Sequence, residues 1–396
     1  MIVRKIKPEE VLRANELFAI AFEQPMDREA AAKPDNENVH RWAAFDESSG
    51  EMMSNFVIND YDVRFDGHAC KMGGIGGVAT LPQYRRRGGI RGCFQEALPD
   101  MYASGYDLSY LYPFSTAYYR KFGYECGVRK FFTAVRLNLL APPEFNGTIR
   151  LAEAGAPMTE AIRAVDACWE SKYNMMVQHR PEDYKWTEEF DPAVKQGFTY
   201  VCFAQDGTPK GYTTFTKADE KDGRNLVCSR FAFVDREGFA GLMNLFKSLA
   251  ADHALVKFAL PASEAMQYLF PEWSMDAASG FLHPAGMVRV VNVESVLKKA
   301  AYIGDGAVVL AVRDPQIPKN DRTFAVRFAQ GKAVSVEAAS EKADAVLTIQ
   351  AFSALITGVC DLQDAALWMD GLEVRRPEAP LAQVFYRKPM MIVDYF

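Results

Sequence analysis

The chain lacks any apolar run approaching the roughly eighteen residues that a membrane-crossing helix needs. Its start, Met1-Ile2-Val3-Arg4-Lys5-Ile6, leads into charge, where a secretion signal would carry an apolar core and a small-residue cleavage site. A membrane span is therefore disfavoured and a cytoplasmic location is expected. Cysteine is sparse and scattered: seven residues, at 70, 93, 126, 168, 202, 228 and 360, form no C-x-x-C pair. They read as reduced, mostly buried thiols, which excludes a disulfide framework and a zinc site. Five histidines, at 40, 68, 179, 253 and 283, are equally dispersed, and no two share metal-ligand spacing on a helix. No metal is expected. Positive charge is in deficit, with 45 Lys and Arg against 51 Asp and Glu. A net charge of −6 disfavours a nucleic-acid binder and mildly favours cationic partners.

Apolar material is plentiful. At 396 residues, with 49% hydrophobic and 12% aromatic content, the chain is globular and too long for one ordinary core, so two or three domains are expected. Ile2 to Ile6 alternates like a short strand. Pro8-Glu9-Glu10 then opens a helix, with proline in the first turn and acids at its positive end. Val11, Leu12, Leu17, Phe18 and Ala21 recur along it at helical spacing. From Gln24 to Val39 the chain turns polar and reads as a mobile loop. Trp42 to Phe45, Met52 to Ile58, Tyr61 to Phe65 and Cys70 to Ala79 are strand-like runs. Ser48-Ser49-Gly50, Asn59-Asp60 and Asp66-Gly67 separate them as hairpin turns. A helix at 90 to 103, a strand at 108 to 112, a short helix through Tyr119 and Lys121 and a strand from Lys130 to Leu137 complete the first segment.

Between this meander and the helix lies the run Gly76-Gly77-Val78-Ala79-Thr80-Leu81-Pro82-Gln83-Tyr84-Arg85-Arg86-Arg87-Gly88-Gly89-Ile90-Arg91-Gly92. A strand stops at Pro82, a loop of arginines and glycines follows, and a helix starts. Backbone N–H groups at a helix start have no partner within the helix and the dipole makes that end positive, so a diphosphate can settle there. Gly88 and Gly89 are expected to let phosphates reach the backbone. The plain alternative is a solvated basic turn, but strand, short loop, R-x-x-G and helix in that order favour an anion site.

Val78-Ala79-Thr80, Arg85 to Arg91, the later Tyr118-Tyr119-Arg120-Lys121-Phe122-Gly123-Tyr124 and a chain that ends in Phe396 together resemble the Eis-like (enhanced intracellular survival) N-acetyltransferases of the GNAT superfamily. Ile90 stands where the wider superfamily commonly has a small residue; an apolar residue there is what the Eis-like branch shows. The resemblance implies an α+β chain of tandem GNAT-like domains followed by a sterol-carrier-protein-like domain, with acetyl-CoA as co-substrate. It implies that two strands splay apart, leaving backbone groups free for the pantetheine arm. Val78, Ala79 and Thr80 would contact the thioester end, and Arg86, Arg87, Gly88, Gly89, Ile90 and Arg91 the diphosphate. Phe114 and Ser115 would flank the arm, with Phe114's side chain no more than packing. The family forms hexamers, so a homo-oligomer is expected.

Ala141-Pro142-Pro143-Glu144-Phe145-Asn146-Gly147 breaks the chain, which sets a first domain at 1–150. In 151–283 the order of the first segment recurs weakly: a helix at 158 to 169, a loop bearing His179 and Arg180, strands at 199 to 204, 210 to 216 and 226 to 234, and a helix at 236 to 250. No R-x-x-G follows Val234, and Asp235 and Glu237 would repel a diphosphate. This segment is read as a degenerate acetyltransferase-like domain without coenzyme. The last, 284–396, opens on Pro284-Ala285-Gly286-Met287-Val288-Arg289-Val290, which resembles the Eis-like junction into the carrier domain. Strands at 307 to 312, 323 to 328 and 345 to 349 and a helix at 350 to 358 fit that fold.

Transfer of acetyl from a thioester to an amine needs a base, because an alkyl amine has a pKa of about 10 and is mostly charged at neutrality. It also needs an acid for the leaving thiolate, whose conjugate pKa is about 8.5 for a cysteine-like thiol. Tyr119, in Y-x-K-F-G-Y after the second splayed strand, occupies the family's proton-donor position; the alternative is a structural hydroxyl. For the base, the family uses the terminal carboxylate. Met391-Ile392-Val393-Asp394-Tyr395-Phe396 stays apolar and aromatic to its last residue, although an ordinary docked terminus would look alike. No cysteine or serine has a base beside it in sequence, so direct attack by the amine is expected. A wide acidic pocket between the first and third domains would suit aminoglycoside-like polyamines or lysine amines, acceptors implied by the resemblance alone. The rival is a lipid carrier or coenzyme-responsive scaffold that transfers no acetyl group.

Overall fold

The computed structural model describes all residues except 189, 190, 196, 222 and 264–275. The chain divides into two compact units. One comprises Met1–Val128, Ala285–Lys388 and Asp394–Phe396, the other Arg129–Pro284 and Pro389–Val393.

The first unit starts with β1 (Ile2–Lys5), α1 (Val11–Ala21), the short α2 (Arg28–Ala31), β2 (Val39–Phe45), β3 (Met52–Phe65) and β4 (His68–Thr80). α3 (Gly89–Ala103), β5 (Leu108–Leu111), α4 (Thr116–Arg120) and β6 (Glu125–Cys126) follow. The sheet runs β1-β2-β3-β4-β5, then the strand Met287–Val290, then β6. Sequence reading assigned that late strand to the opening of the last domain; it is instead held between β5 and β6 in the first sheet.

A β3–β4 hairpin dominates this sheet. Asp66 and Gly67, at φ +48° and +88°, take the two left-handed positions that a tight hairpin turn requires. Asn59-Asp60, by contrast, is no turn. β3 continues straight through both, with Asn59 opposite Gly74 and Asp60 opposite Gly73. The turn-prone carboxylate is stabilised in the strand by side-chain partners, for Asp60 accepts from the Tyr106 hydroxyl and pairs with Lys71 Nζ at 3.0 Å. The polar stretch after α1 likewise holds a helical turn, α2, whose start is capped by the Asp27 carboxylate.

Two features of β4 shape the site. Gly77 (φ +58°) and Val78 stand together opposite the single residue Phe56, a bulge that only a residue at ease in the left-handed region enters without strain. β4 also pairs in parallel with β5 only from Met72↔Leu108 to Ile75↔Leu111. Beyond Ile75 the two strands part, so Gly76 to Thr80 keep β3 on one edge and no strand on the other. Behind them α3 buries Ile90, Cys93, Phe94, Ala97, Leu98 and Met101. Phe94 stacks on Phe56 (4.8 Å) and Phe122 (4.3 Å). Full burial of each such ring stabilises the fold by about 2 kcal/mol.

The same unit contains the carrier-like sheet, in the order Lys332–Ala338, Thr323–Ala329, Gly306–Arg313, Ala345–Thr348, Leu372–Val374. The helix Ile349–Thr357 is buried at every residue but Gln350. Arg289 of the inserted strand lies fully buried, and its Nη2 donates to both oxygens of the buried Asp314 at 2.9 Å.

The second unit has its own seven-stranded sheet, in which Arg129–Arg136 lies between Leu255–Pro261 and Ala278–Pro284. A boundary at 150 therefore falls after a strand that belongs to this unit. The strand Gly223–Phe233 leads into the helix Arg236–Ser248 and pairs in parallel with Leu255–Pro261 only over Asn225 to Val227, repeating the divergence of β4 and β5. Its helix start is occupied by its own chain: the Asp235 carboxylate accepts from Gly238 N at 3.0 Å, and Lys210 pairs with Asp235 (2.7 Å) and Glu237 (3.4 Å). The Phe233 carbonyl accepts from Trp169 Nε1 at 2.7 Å, and Phe231 stacks on Phe258 at 4.2 Å.

Candidate active site

Pro82 ends β4 and begins a helical turn to Tyr84, whose hydroxyl donates to Glu51 at 2.6 Å. Tyr84 to Arg87 then form a type II turn: Arg85 has φ −59° and ψ 147°, Arg86 has φ +66°, and Arg87 N donates to the Tyr84 carbonyl. An arginine at a position that favours glycine marks local backbone strain of the kind that gathers at functional sites. Gly88 (φ +83°) is the N-cap of α3, and no side chain caps the helix. The first N–H groups of α3 therefore lack an intrahelical partner at the positive end of its dipole.

Around this helix start lies a cavity of about 360 Å³, lined by Thr80, the loop Arg85 to Arg91, Tyr118 and Lys121. Among the described residues no carboxylate pairs with Arg85, Arg86, Arg87, Arg91 or Lys121. Five cations without counter-charge beside an uncapped helix start form a strong anion site. The two glycines divide their duties. Space beside Gly88 is open, whereas a Cβ on Gly89 would lie 3.0 Å from Ser54 Cβ and 3.4 Å from Ala44 Cβ. Gly89, which also lines the cavity, thus lets α3 pack on the sheet.

A larger cavity of about 850 Å³ adjoins the first, sharing Thr80, Arg85, Ile90 and Tyr118 with it. Gly76 to Thr80, the unpaired edge of β4, form one wall; Ile90, Phe114 and Tyr119 lie along it, and Phe18, Phe22, Tyr112 and Phe396 close the far end. Tyr119 is buried at 2% exposure, edge-on to Phe94 and Phe114, and burial pushes its phenol above the ordinary range. The neighbouring Tyr118 shifts the same way for the same cause. Phe114 is 75% exposed. Ser115 does not line the cavity; it is the N-cap of α4, its Oγ accepting from Tyr118 N at 3.3 Å.

Phe396 is set against β4 closely enough to explain the glycines there. A Cβ on Gly76 would stand 2.8 Å from the Phe396 carboxyl carbon and 3.1 Å from its oxygen, and one on Gly74 would stand 2.7 Å from the ring. The ring packs on Tyr61 (5.2 Å) and Tyr112 (5.4 Å), while the Tyr112 hydroxyl donates to the Asp394 carbonyl at 2.5 Å. Further back, Lys388 is buried with Asp66, its ammonium donating to that carboxylate.

Val78, Ala79, Thr80, Ile90, Phe114, Tyr119 and Phe396 therefore meet in one cavity, and Arg86, Arg87, Gly88, Gly89 and Arg91 line the other. Sequence reasoning missed Phe22, Gln24, Tyr112 and Lys121. The signal for the first was Phe18-x-x-Ala21-Phe22, one stripe of α1 that reads equally well as core. The lining also differs from the acidic pocket expected, since no Asp or Glu side chain lines the larger cavity. Among the described residues no cluster of His, Cys, Asp and Glu has the geometry of a metal site, and no helix is long and apolar enough to cross a membrane.

Residues 2–127 match the family model described as Acetyltransferase (GNAT) domain, and residues 293–390 that of the Sterol carrier protein domain. No curated protein matches the chain. Three solved structures share the fold over its whole length. A probable N-acyltransferase from Enterococcus faecalis is 22% identical, with a TM-score of 0.87, 100% of this chain and 99% of that one covered. A GCN5-related N-acetyltransferase from Anabaena variabilis is 18% identical, with a TM-score of 0.84 and both chains covered in full. Eis1 from Mycobacterium abscessus is 19% identical, with a TM-score of 0.81 and both again covered in full. The chain thus carries a GNAT acetyltransferase domain in residues 2–127 and a sterol-carrier domain in residues 293–390, within an α+β fold.

Proposed function

We propose that the protein is an acetyl-CoA-dependent N-acetyltransferase of Eis-like type, which transfers acetyl to an amine by direct attack. The observation that carries this reading is the joining of the two cavities: an uncompensated cation loop opens into a cleft holding the free edge of β4, the Tyr119 phenol and the Phe396 carboxyl group. Residues and coenzyme fit in kind. Arg86, Arg87, Arg91 and Lys121, with the α3 N–H groups, suit the phosphates, and the free edge from Gly76 to Thr80 can hydrogen-bond the amides of an extended arm.

The carboxylate of a chain ending at Phe396 takes a proton from the bound ammonium, and the freed amine attacks the acetyl carbonyl. The C–N bond forms as the C–S bond breaks, the Tyr119 phenol gives its proton to the departing sulfur, and the phenolate left behind takes the surplus proton from the new amide nitrogen. A carboxylate of ordinary pKa about 3.5 is a weak base in water. Desolvation disfavours the charged form, so filling the cavity with coenzyme and acceptor would strengthen it as a base. The second unit, with Asp235 over its helix start and Trp169 on the Phe233 carbonyl, is read as binding no coenzyme.

Titration of acetyl-CoA by calorimetry tests the assignment. One equivalent per chain is expected, and Arg86→Glu with Arg91→Glu should weaken binding severely, since two attractive contacts become repulsive. Unchanged affinity in the double variant would remove the loop from the site.

A further inference from the structure

The far end of the larger cavity is built from side chains of one kind. α1 presents Phe18 and Phe22, one helical turn apart and stacked at 4.5 Å, with Ala21 beside them. Tyr112 and Phe396 line the cavity as well. Gln24 is the one polar, uncharged side chain there apart from the Tyr112 hydroxyl, which donates to the Asp394 carbonyl.

Three acids on α1 and in the segment after it have partners of their own. Glu16 pairs with Arg13 at 3.1 Å and Arg28 at 2.5 Å, which holds its carboxyl below the ordinary range. Asp35 accepts from Arg41 at 2.7 and 2.9 Å, and Asp27 caps α2. Among the residues that line the cavity, the Phe396 carboxylate is the one anionic group, and the aromatic rings of Phe18, Phe22 and Tyr112 line it too.

Such a site suits one ammonium attached to an apolar body. The charge would lie at the carboxylate and over aromatic faces, where a cation within about 6 Å of a ring centroid is attracted by the ring quadrupole. The body would cover Phe18 and Phe22, the latter 47% exposed. A polycation would have to strip water from several charges and find one partner, which is strongly unfavourable.

We infer that the acceptor is a lipophilic monoamine, a primary amine on an arylalkyl or alkyl body, rather than a polyamine or aminoglycoside. This rests on the acyl-transfer reading for what happens to the amine, but not for what binds. The test therefore reads both. Phenethylamine, hexylamine, spermidine and an aminoglycoside are titrated into the protein saturated with coenzyme A, and the same four are compared by kcat/KM with acetyl-CoA.

Phenethylamine and hexylamine are expected to lead the polycations by at least about tenfold in both measurements. Phe22→Ala should shrink that ratio on the order of tenfold while Phe22→Tyr keeps it, since the contact is with the ring face. Tighter binding of the polycations, or a ratio that Phe22→Ala leaves unchanged, would overturn the inference. Selective binding of the monoamines without thiol release would uphold it and defeat the acyl-transfer reading instead.

Discussion

Tyr119 and Phe396 have opposite proton duties, and their surroundings differ accordingly. Burial holds the Tyr119 phenol protonated, so it remains a donor at every pH below its ordinary value of about 10. Because the ammonium is the form that binds, kcat/KM should hold through neutral pH and should not turn down before the amine loses its proton near about pH 10. Tyr119→Phe should keep acetyl-CoA affinity but lower kcat on the order of 10²-fold; equal turnover of the two proteins would take Tyr119 out of the mechanism. For Phe396, a short polar tail would convert the carboxylate into an amide and push atoms into the cavity. Deleting Phe396 alone would instead retract the carboxylate by one residue, about 3.5 Å. Both proteins should fold, bind acetyl-CoA and be nearly inactive. A tailed protein as fast as the untailed one would make the carboxylate structural.

β4 shows how far local sequence carries and where it stops. Its end at Pro82, the loop and the start of α3 were legible because proline, the arginine run and the paired glycines each act over a few residues. The reason for Gly73-Gly74-Ile75-Gly76-Gly77 was not legible. Two of those glycines make room for Phe396 from the other end of the chain, and a third carries the bulge. Gly76→Ala should consequently displace the carboxylate and cost most of the activity, with acetyl-CoA binding retained in calorimetry. Asn59-Asp60 failed as a turn for the converse reason: Tyr106 and Lys71 satisfy the Asp60 carboxylate within the strand. α1 adds a pH dependence of its own. Arg13 and Arg28 hydrogen-bond Glu16 and depress its carboxyl in the folded state, so the unfolded chain takes up that proton at higher pH. The stabilisation is complete above about pH 4.5 and is lost as pH falls through the lower folded value. Glu16→Gln should flatten that part of the Tm-against-pH curve; a parallel curve would contradict the pairing.

Over the whole molecule, the α+β order and the repeat within residues 151–283 could be read from apolar periodicity and turn residues. Chain crossings could not. The strand Met287–Val290 joins the first sheet, Arg129–Arg136 the second, and the last eight residues are shared between the units. Each depends on partners more than a hundred positions away, which no local pattern encodes. The aromatic character of the acceptor end was hidden similarly, for Phe18 and Phe22 look like core until α1 is set beside Tyr112 and Phe396.

The most direct test of the account follows thiol release from acetyl-CoA and the mass of an added primary amine in the same reaction, for the native protein and for Arg86→Glu with Arg91→Glu. The native protein should release one thiol per acetylated amine, and the double variant at subsaturating acetyl-CoA should release almost none. Thiol release without a heavier amine, or equal rates from both proteins, would contradict acetyl transfer at this site.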